Sequence, residues 1–289
     1  MERERNLQTV ARYIQKMPSL PTSVTKVVEL SNDPNVSPAD LNHVISLDPV
    51  LMGRVMKLIN SAYYGLNNKI TSLVRAIIML GINTVKNLAL STAVMGTLGH
   101  NSHFHALNMS GFWRHSLSVG VTAKLIAQEI GIDPKNRECF FIAGLLHDIG
   151  KIPLNNTLSE SYLKALKTSE DENLSLHRSE YRVIGFTHAE AGKLIAKLWQ
   201  LDDEIHDAIS YHHSVAAYEG DHVELLYAVI AADYFSNIYE IGYSGNRHPE
   251  PVPDSVFTSL GITLERLEDL EEEVLSEIEK ARVFLQIAE

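Results

Sequence analysis

A histidine and an aspartate stand side by side at His147 and Asp148, inside the run Gly144-Leu-Leu-His-Asp-Ile-Gly-Lys151. A neutral imidazole offers one nitrogen and a carboxylate offers two oxygens, and both are ligands for divalent cations. An adjacent pair of this kind is weak evidence by itself. It gains weight because further candidate ligands follow it along the chain.

These further candidates fall on the apolar faces of predicted helices. His188, His212 and Asp233 each lie three, four or seven residues from apolar side chains, which is the spacing of a helix face turned towards a core. A buried carboxylate without a partner is costly or takes up a proton. A cation would therefore compensate Asp148 and Asp233 together.

Each candidate also has an ordinary structural interpretation. A single histidine on an apolar face is usually a hydrogen-bonded core residue, and Asp233 could pair with an arginine. Lys151 could be a solvated charge near a helix end. His212 and His213 diverge by about 100° if both are helical, so one of them could lie at the surface. Taken together, the candidates favour a metal site over these separate structural interpretations, because all of them lie in the half of the chain with the longest predicted helices.

The donor types limit the possible chemistry. Nitrogen and oxygen donors without a thiolate favour Fe, Mn, Mg, Ni or Zn over Cu(I). Two cations that share one carboxylate can polarise a phosphate and activate water for attack on phosphorus. The sequence contains no phosphate-cradling glycine-rich loop, no serine nucleophile elbow and no Cys-x-x-Cys pair. Metal-assisted chemistry on a phosphoester is therefore the enzymatic hypothesis.

The elements that must position these residues are predicted to be helices almost throughout, because no segment shows sustained strict alternation. Residues 155–180 are predicted to form short helices with loop, and residues from Thr263 to form one amphipathic C-terminal helix. The sequence thus predicts an all-α fold. Caps and first-turn prolines mark predicted helix starts at Pro21, Ser37-Pro38, Asp48-Pro49 and Thr187-His-Ala-Glu190.

The domain organisation is predicted from a polar break between His100 and His105. We expect an N-terminal helical subdomain over residues 1–105 and a metal-binding helical core over residues 106–245. A loop and the amphipathic helix follow over residues 246–289.

Composition limits the partners and the compartment. The formal net charge of −11 disfavours a broad electrostatic grip on nucleic acid or an anionic membrane. The single cysteine, Cys139, leaves no internal disulfide and fits a reducing compartment. The charged N-terminus lacks an apolar signal core, and the longest apolar run, Leu225 to Ala232, is too short to span a bilayer. These features predict a cytoplasmic protein with neither a nucleic-acid nor a membrane partner.

The order of the candidate ligands resembles that of the HD superfamily of metal-dependent phosphohydrolases. The resemblance adds His115, from Trp113-Arg-His-Ser116, and implies two divalent cations bridged by Asp148. Iron or manganese is favoured, and magnesium, nickel or zinc is also compatible. Lys151 would contact a phosphate if the protein is an enzyme. The implied metal ligands are His115, His147, Asp148, His188, His212, His213 and Asp233.

The sequence around His147 is similar to that of the HD-GYP branch of that superfamily. Where that branch carries an Asp-Gly-x-Gly-Tyr-Pro loop, this chain reads His213-Ser-Val-Ala-Ala-Tyr-Glu-Gly220. Gly111, one turn before His115, supplies no carboxylate for a third metal ion. Neither cyclic di-GMP hydrolysis nor a third metal ion is therefore implied.

The first half of the chain resembles the HDOD domain, and the resemblance covers about residues 15–240. It implies a multi-helix HD-superfamily bundle with an N-terminal helical subdomain, in a bacterial signalling or regulatory protein with a signalling protein partner. The alternative is a metal-dependent phosphohydrolase acting on a nucleotide or another phosphoester ligand. The motifs that carry the resemblance are Leu20-Pro21, Asp48-Pro49, Asn60-Ser-Ala-Tyr-Tyr-Gly65, Ala76-Ile-Ile-Met-Leu-Gly81 and Trp199-Gln-Leu201.

Overall fold

The computed structural model describes residues 2–98 and 106–288. Within these ranges the chain forms α-helices, short turns and one 3-10 turn at Val215–Ala217, without a β-strand. The predicted all-α fold is therefore confirmed. The first helices are α1 (Glu2–Lys16), α2 (Thr22–Ser31), α3 (Pro38–Ser46), α4 (Pro49–Ile59), α5 (Leu73–Leu80) and α6 (Ile82–Leu98). The remaining helices are α7 (Met109–Glu129), α8 (Arg137–Leu146), α9 (Lys151–Thr157), α10 (Ser159–Glu172), α11 (Leu176–Ile184), α12 (His188–Leu198), α13 (Asp203–Tyr211), α14 (Val223–Ile238), α15 (Asp254–Leu260), α16 (Leu264–Asp269), α17 (Glu271–Ala281) and α18 (Leu285–Ala288).

Local side-chain caps begin several of these helices where the sequence predicts them. Ser37 and Thr187 each form a complete capping box with the acidic residue three positions later. The Asp48 carboxylate accepts hydrogen bonds from the first backbone N–H groups of α4. Caps of this type each stabilise a helix by about 1 kcal/mol.

Helices α7, α8 and α14 pack against one another and form the centre of the core. The helices α7 and α8 approach closely because both carry a glycine at the crossing. A Cβ atom added to Gly144 would lie 2.8 Å from the Cα of Gly120, closer than side chains tolerate. The first glycine of the His-Asp motif thus serves helix packing.

The ends of the chain pack on this core. Helix α1, for which the sequence analysis assigned no element, lies on α9 and α12. The Asn6 amide donates a hydrogen bond to the Ile184 carbonyl at 3.2 Å. At the other end, α17 packs on α7 and α18 packs on α6.

Two predicted elements differ from the structure. Residues 155–180 contain little loop, because α10 is a continuous 14-residue helix that buries Tyr162, Ala165 and Ser169 on one side. The predicted single C-terminal helix is instead three helices, interrupted at Leu270 and again after Ala281. The second break turns the Phe284 ring inward against Tyr63 and Phe141, where it is fully buried. Burial of this ring outweighs the continuity of the helix.

The predicted boundary between His100 and His105 lies outside the described residues, so the division into domains stays a prediction. Over the described ranges, no single helix has both the length and the apolarity that a membrane crossing needs. The bent pair of α5 and α6 reaches that threshold by length and composition alone.

Candidate metal centre

The structure brings all seven predicted ligand side chains together inside the core. They form two groups that share the carboxylate of Asp148. The first ligand group is His115, His147, Asp148 and Asp233. The second ligand group is Asp148, His188, His212 and His213.

The end of α8 positions the His-Asp pair. His147 forms the C-cap of α8, and Asp148 follows in a tight turn. This turn rests directly on α12, because a Cβ atom at Gly150 would lie only 1.9 Å from the His188 carbonyl oxygen. The second glycine of the motif therefore lets Asp148 approach the start of α12, where His188 lies.

In the first ligand group, helices α7 and α14 each supply one side chain and the turn after α8 supplies two. The Nε2 atom of His115 lies 3.1 Å from Oδ1 of Asp233, and that of His147 lies 3.4 Å from the same oxygen. Oδ2 of Asp148 lies 3.3 Å from His147 Nε2 and 3.8 Å from His115 Nε2. Two imidazole nitrogens and two carboxylate oxygens thus surround one small volume.

In the second ligand group, three imidazoles face the other oxygen of Asp148. Oδ1 lies 3.1 Å from His188 Nε2 and 3.8 Å from His212 Nε2. His188 Nε2 lies 3.2 Å from His212 Nε2 and 3.1 Å from His213 Nε2. Because α13 ends at Tyr211, the two consecutive histidines are not separated by the helical turn of about 100° per residue, and both face inward.

Hydrogen bonds to Nδ1 orient three of the rings. Nδ1 of His147 lies 2.7 Å from the Gly144 carbonyl, and Nδ1 of His212 lies 3.0 Å from the Ala208 carbonyl. A proton donated from Nδ1 leaves the lone pair of Nε2 free to face the centre. Both rings therefore point Nε2 at the centre, and this nitrogen binds a metal ion once it carries no proton.

The third oriented ring depends on Glu180, a residue that the sequence analysis did not select. Its fully buried carboxylate lies 2.6 Å from Nδ1 of His188 and also accepts the His188 backbone N–H at 2.8 Å. Glu180 lies four residues from each of the buried Leu176 and Ile184. The helical spacing that identified Asp233 would therefore have identified Glu180 as well.

The charges of the cluster shift the pKa values in opposite directions. Burial alone would raise the pKa of Asp148, but His147, Lys151 and His188 outweigh it and hold the pKa well below its usual range. Burial alone would lower the pKa of His147, yet Asp148 and Asp233 raise it to about 10. Burial lowers the pKa of His212 to about 3, helped by the charges of His147 and His188. The centre therefore keeps its carboxylates ionised.

Two buried atoms in the centre lack a hydrogen-bond partner among the described residues. They are Nε2 of His147 and Oδ1 of Asp148, one in each ligand group. Buried polar atoms are almost always paired, so an unpaired nitrogen in one ligand group and an unpaired oxygen in the other indicate a missing partner in each. A divalent cation accepts lone pairs from both, and the side chains present fit it.

Lys151 lies within the centre and is only 2% exposed, so the interpretation as a solvated charge is wrong. Its Nζ lies 2.5 Å from Oδ2 of Asp148 and donates to the Ser244 carbonyl at 3.0 Å. The predicted contact of Lys151 with a phosphate stays a prediction.

A cavity of about 260 Å³ opens beside the second ligand group. His212, His213 and Asp233 line it, and prolines of the 249–253 segment form part of its wall. The ring of His177 stacks on His213 with a centroid distance of 4.3 Å. A small ligand in this cavity would reach the candidate ligands directly.

Comparison with solved structures supports the fold. The chain is 26% identical to an HDOD domain protein of unknown function from Geobacter sulfurreducens, with a TM-score of 0.75 and coverage of 97% of each chain. A candidate metal-dependent phosphohydrolase from Shewanella amazonensis SB2B shares 20% identity and a TM-score of 0.60, with 99% of this chain and 100% of that chain covered. The second likeness shows the fold alone.

Among curated relatives, an uncharacterized protein of Treponema pallidum (strain Nichols) is 24% identical over 258 residues, which are 89% of this chain and 48% of the relative. Ribonuclease Y of Thermus thermophilus is 30% identical over 130 residues, 45% of this chain and 17% of that enzyme. The chain thus spans half or less of these relatives. The HDOD domain model matches residues 17–215, more than half of the 289 residues, and the protein therefore belongs to the HDOD domain family.

Proposed function

We propose that this protein is an HDOD-type regulatory protein whose HD-type centre binds two divalent cations. The observation that carries the proposal is the position of Asp148. Its Oδ2 faces the first ligand group and its Oδ1 faces the second, as expected of a carboxylate that bridges two ions. The nitrogen and oxygen donors favour iron or manganese, and magnesium, nickel or zinc is compatible.

Bound cations would act as Lewis acids towards a phosphate ligand and lower the pKa of water in the centre. The protein's own contribution is to hold the donors in place. The Gly144 and Ala208 carbonyls and the Glu180 carboxylate fix three imidazole rings. Such hydrogen bonds to ligand rings are worth about 10–100-fold in metal affinity.

Contacts between the first helices and the core support the regulatory part of the proposal. The Tyr64 hydroxyl donates to Oε1 of Glu138 at 2.8 Å, and Lys124 Nζ lies 2.7 Å from Oε2 of Glu138. Glu138 lies on α8, which ends at the His-Asp pair. A hydrogen bond therefore connects the turn after α4 to the helix that ends at the candidate metal ligands.

A signalling protein partner remains part of this proposal. The C-terminal part offers a candidate surface, because α17 turns Val274, Ile278 and Ala281 towards the core. Its acidic residues Glu272 and Glu273 lie on the outer side. We expect a partner with a basic contact surface.

The metal centre is tested by elemental analysis of protein purified without chelator, combined with thermal unfolding before and after metal is stripped. We expect about two metal ions per chain and a lower melting temperature after stripping, because a metal that binds only the folded state stabilises it. His212→Ala should lose at least one ion. His43→Ala is the control, because His43 lies on α3, which packs on α2, α4 and α5, and this variant should retain both ions. Metal content unchanged by His212→Ala would refute the assignment.

A metal-dependent phosphohydrolase acting on a nucleotide or other phosphoester is the second candidate function. The cavity beside His213 and Asp233 favours it, because a ligand there would have access to the centre. Manganese- and iron-loaded protein should be screened against nucleotides, cyclic dinucleotides and a short RNA, the last because part of the chain is similar to ribonuclease Y. Turnover no greater than that of His147→Ala would exclude the activity for these substrates.

A further inference from the structure

The ammonium group of Lys151 occupies one side of the carboxylate that the two ligand groups share. Its side chain is almost fully buried, and Nζ contacts Oδ2 of Asp148 at 2.5 Å. The Ser244 carbonyl accepts a second hydrogen bond from the same ammonium group at 3.0 Å. A positive charge of the protein itself therefore lies where the first ligand group faces Asp148.

The other oxygen of this carboxylate, Oδ1, has no such cationic partner within the described ranges. Oδ1 of Asp148 is buried and has no hydrogen-bond partner among the described residues. It faces the Nε2 atoms of His188 and His212. An ion entering the second ligand group meets an unpaired oxygen, whereas an ion entering the first meets an oxygen already paired with a cation.

We propose that Lys151 is an internal counter-cation that makes the two ligand groups unequal. The second ligand group binds its ion first. The first ligand group binds an ion only when the lysine ammonium leaves Oδ2. The inference rests on the proposed two-ion centre and adds an order of loading that the ligand set alone does not give.

The charges of the two groups show why the lysine decides the order. The first ligand group contains two carboxylates, Asp148 and Asp233, and the second contains only Asp148. Without Lys151, the extra carboxylate would make the first group the stronger site for a divalent cation. The lysine reverses that order, because two positive charges held close together in the protein interior repel strongly.

The Ser244 carbonyl gives the displaced ammonium group a partner that it already contacts. The ammonium group therefore needs to move only a short distance, and it remains near the centre after an ion has entered the first ligand group. Ser244 lies in the loop after α14, and its hydroxyl group donates to the Asn237 side chain. Asn237 in turn donates to Asp233 at 2.8 Å. Occupancy of the first ligand group is thus linked to this loop.

The test is a calorimetric titration of chelator-stripped protein with Mn²⁺, for wild type, Lys151→Met and Lys86→Met. Lys86 is the matched control, because it is also a buried lysine paired with an aspartate, at 2.6 Å from Asp202, away from the centre. Thermal unfolding with and without Mn²⁺ is measured for each protein. Lys151→Gln, which keeps polarity without charge, replaces Lys151→Met if that variant does not fold.

We expect two affinities in the wild type that differ by about tenfold or more, as is typical when a partner of a metal ligand changes. In Lys151→Met the weaker affinity should rise by more than this factor, so that the first ligand group becomes the stronger site. The metal-free variant should melt at a lower temperature than wild type, yet gain more from Mn²⁺. Lys86→Met should also melt lower but keep both wild-type affinities.

Two equal affinities in the wild type, or affinities unchanged in Lys151→Met, would overturn the role of Lys151 while leaving the two-ion centre intact. Wild-type protein that binds no Mn²⁺ would instead overturn the centre, and the loading order with it. A single ion retained by wild type but two by Lys151→Met would be the strongest support.

Discussion

Two polar clusters in this molecule, one partly buried and one buried, differ in how completely their atoms are paired. In the junction cluster, formed by Tyr64, Lys124 and Glu138, each oxygen of the Glu138 carboxylate accepts a hydrogen bond from one of the other two residues. In the metal centre, His147 and Asp148 each retain an unpaired buried atom. Both clusters join distant parts of the chain. Of these two clusters, only the second has buried atoms that are unpaired and could bind a metal ion.

This difference distinguishes polar side chains that stabilise the fold from polar side chains that bind a ligand. A buried carboxylate whose oxygens are all paired stabilises the arrangement that buries it. A buried carboxylate with an unpaired oxygen is costly unless something else binds there. We therefore expect the junction cluster to contribute to stability in all conditions and the candidate metal centre to contribute through the ions that we propose it binds.

The largest effect is expected for Glu138→Ala. It removes the buried Glu138 carboxylate from the Tyr64 hydroxyl and from the partly exposed Lys124 ammonium, and should lower the free energy of unfolding by about 3 kcal/mol. Denaturant unfolding should show the same loss with and without a chelator, because Glu138 is the only carboxylate or imidazole ligand in the junction cluster. Glu279→Ala, which breaks an exposed pair with Arg282, is the control and should change stability by less than about 0.5 kcal/mol. A loss that disappears in chelator would contradict this distinction between the clusters.

Asp148→Asn should remove the stabilisation that metal provides. Wild type at a metal concentration of about 100 times the dissociation constant should gain about 2.7 kcal/mol, and the variant should gain almost nothing. The measurement is the difference in unfolding free energy with and without Mn²⁺, so that effects on the metal-free protein cancel. Glu138→Ala should retain the full gain. A normal gain in Asp148→Asn would show that the bridging position is not used.

Glu180→Gln should weaken only the second ligand group. The neutral amide accepts the His188 Nδ1 proton less strongly, and the affinity of that group for Mn²⁺ should fall by about 10–100-fold. Glu172→Gln, an exposed carboxylate paired with Arg182, should have no effect. Calorimetric titration distinguishes the two groups, and an equal loss at both would indicate a general structural defect instead.

The smallest effect is the dependence of metal binding on pH. In the metal-free centre, Asp148 and Asp233 raise the pKa of His147 to about 10, so this ring carries a proton at neutral pH. The ion must displace that proton, and the apparent affinity of the first ligand group should therefore increase with pH by up to about tenfold per unit. Proton release on Mn²⁺ addition in weakly buffered solution measures this. Binding without proton release at pH 7 would contradict it.

Sequence spacing determined the local features of this protein. The caps at Ser37, Asp48 and Thr187 are interactions over two or three residues, so their partners are visible in the sequence. Helical periodicity identified the buried faces that carry His188, His212 and Asp233. The ligand types alone limited the metal chemistry to nitrogen and oxygen donors, and the family resemblance contributed His115.

Only the tertiary structure decided which atoms meet. His115 and Asp233 are 118 positions apart, and they contact each other because α7 packs against α14. Lys151, at the start of α9, is buried where the turn after α8 meets the loop after α14, and it contacts a single oxygen of Asp148. The physical reason is the distance along the chain between the residues that interact. Spacing along a helix shows which face a residue occupies, whereas packing between helices determines which charged side chains share a buried volume.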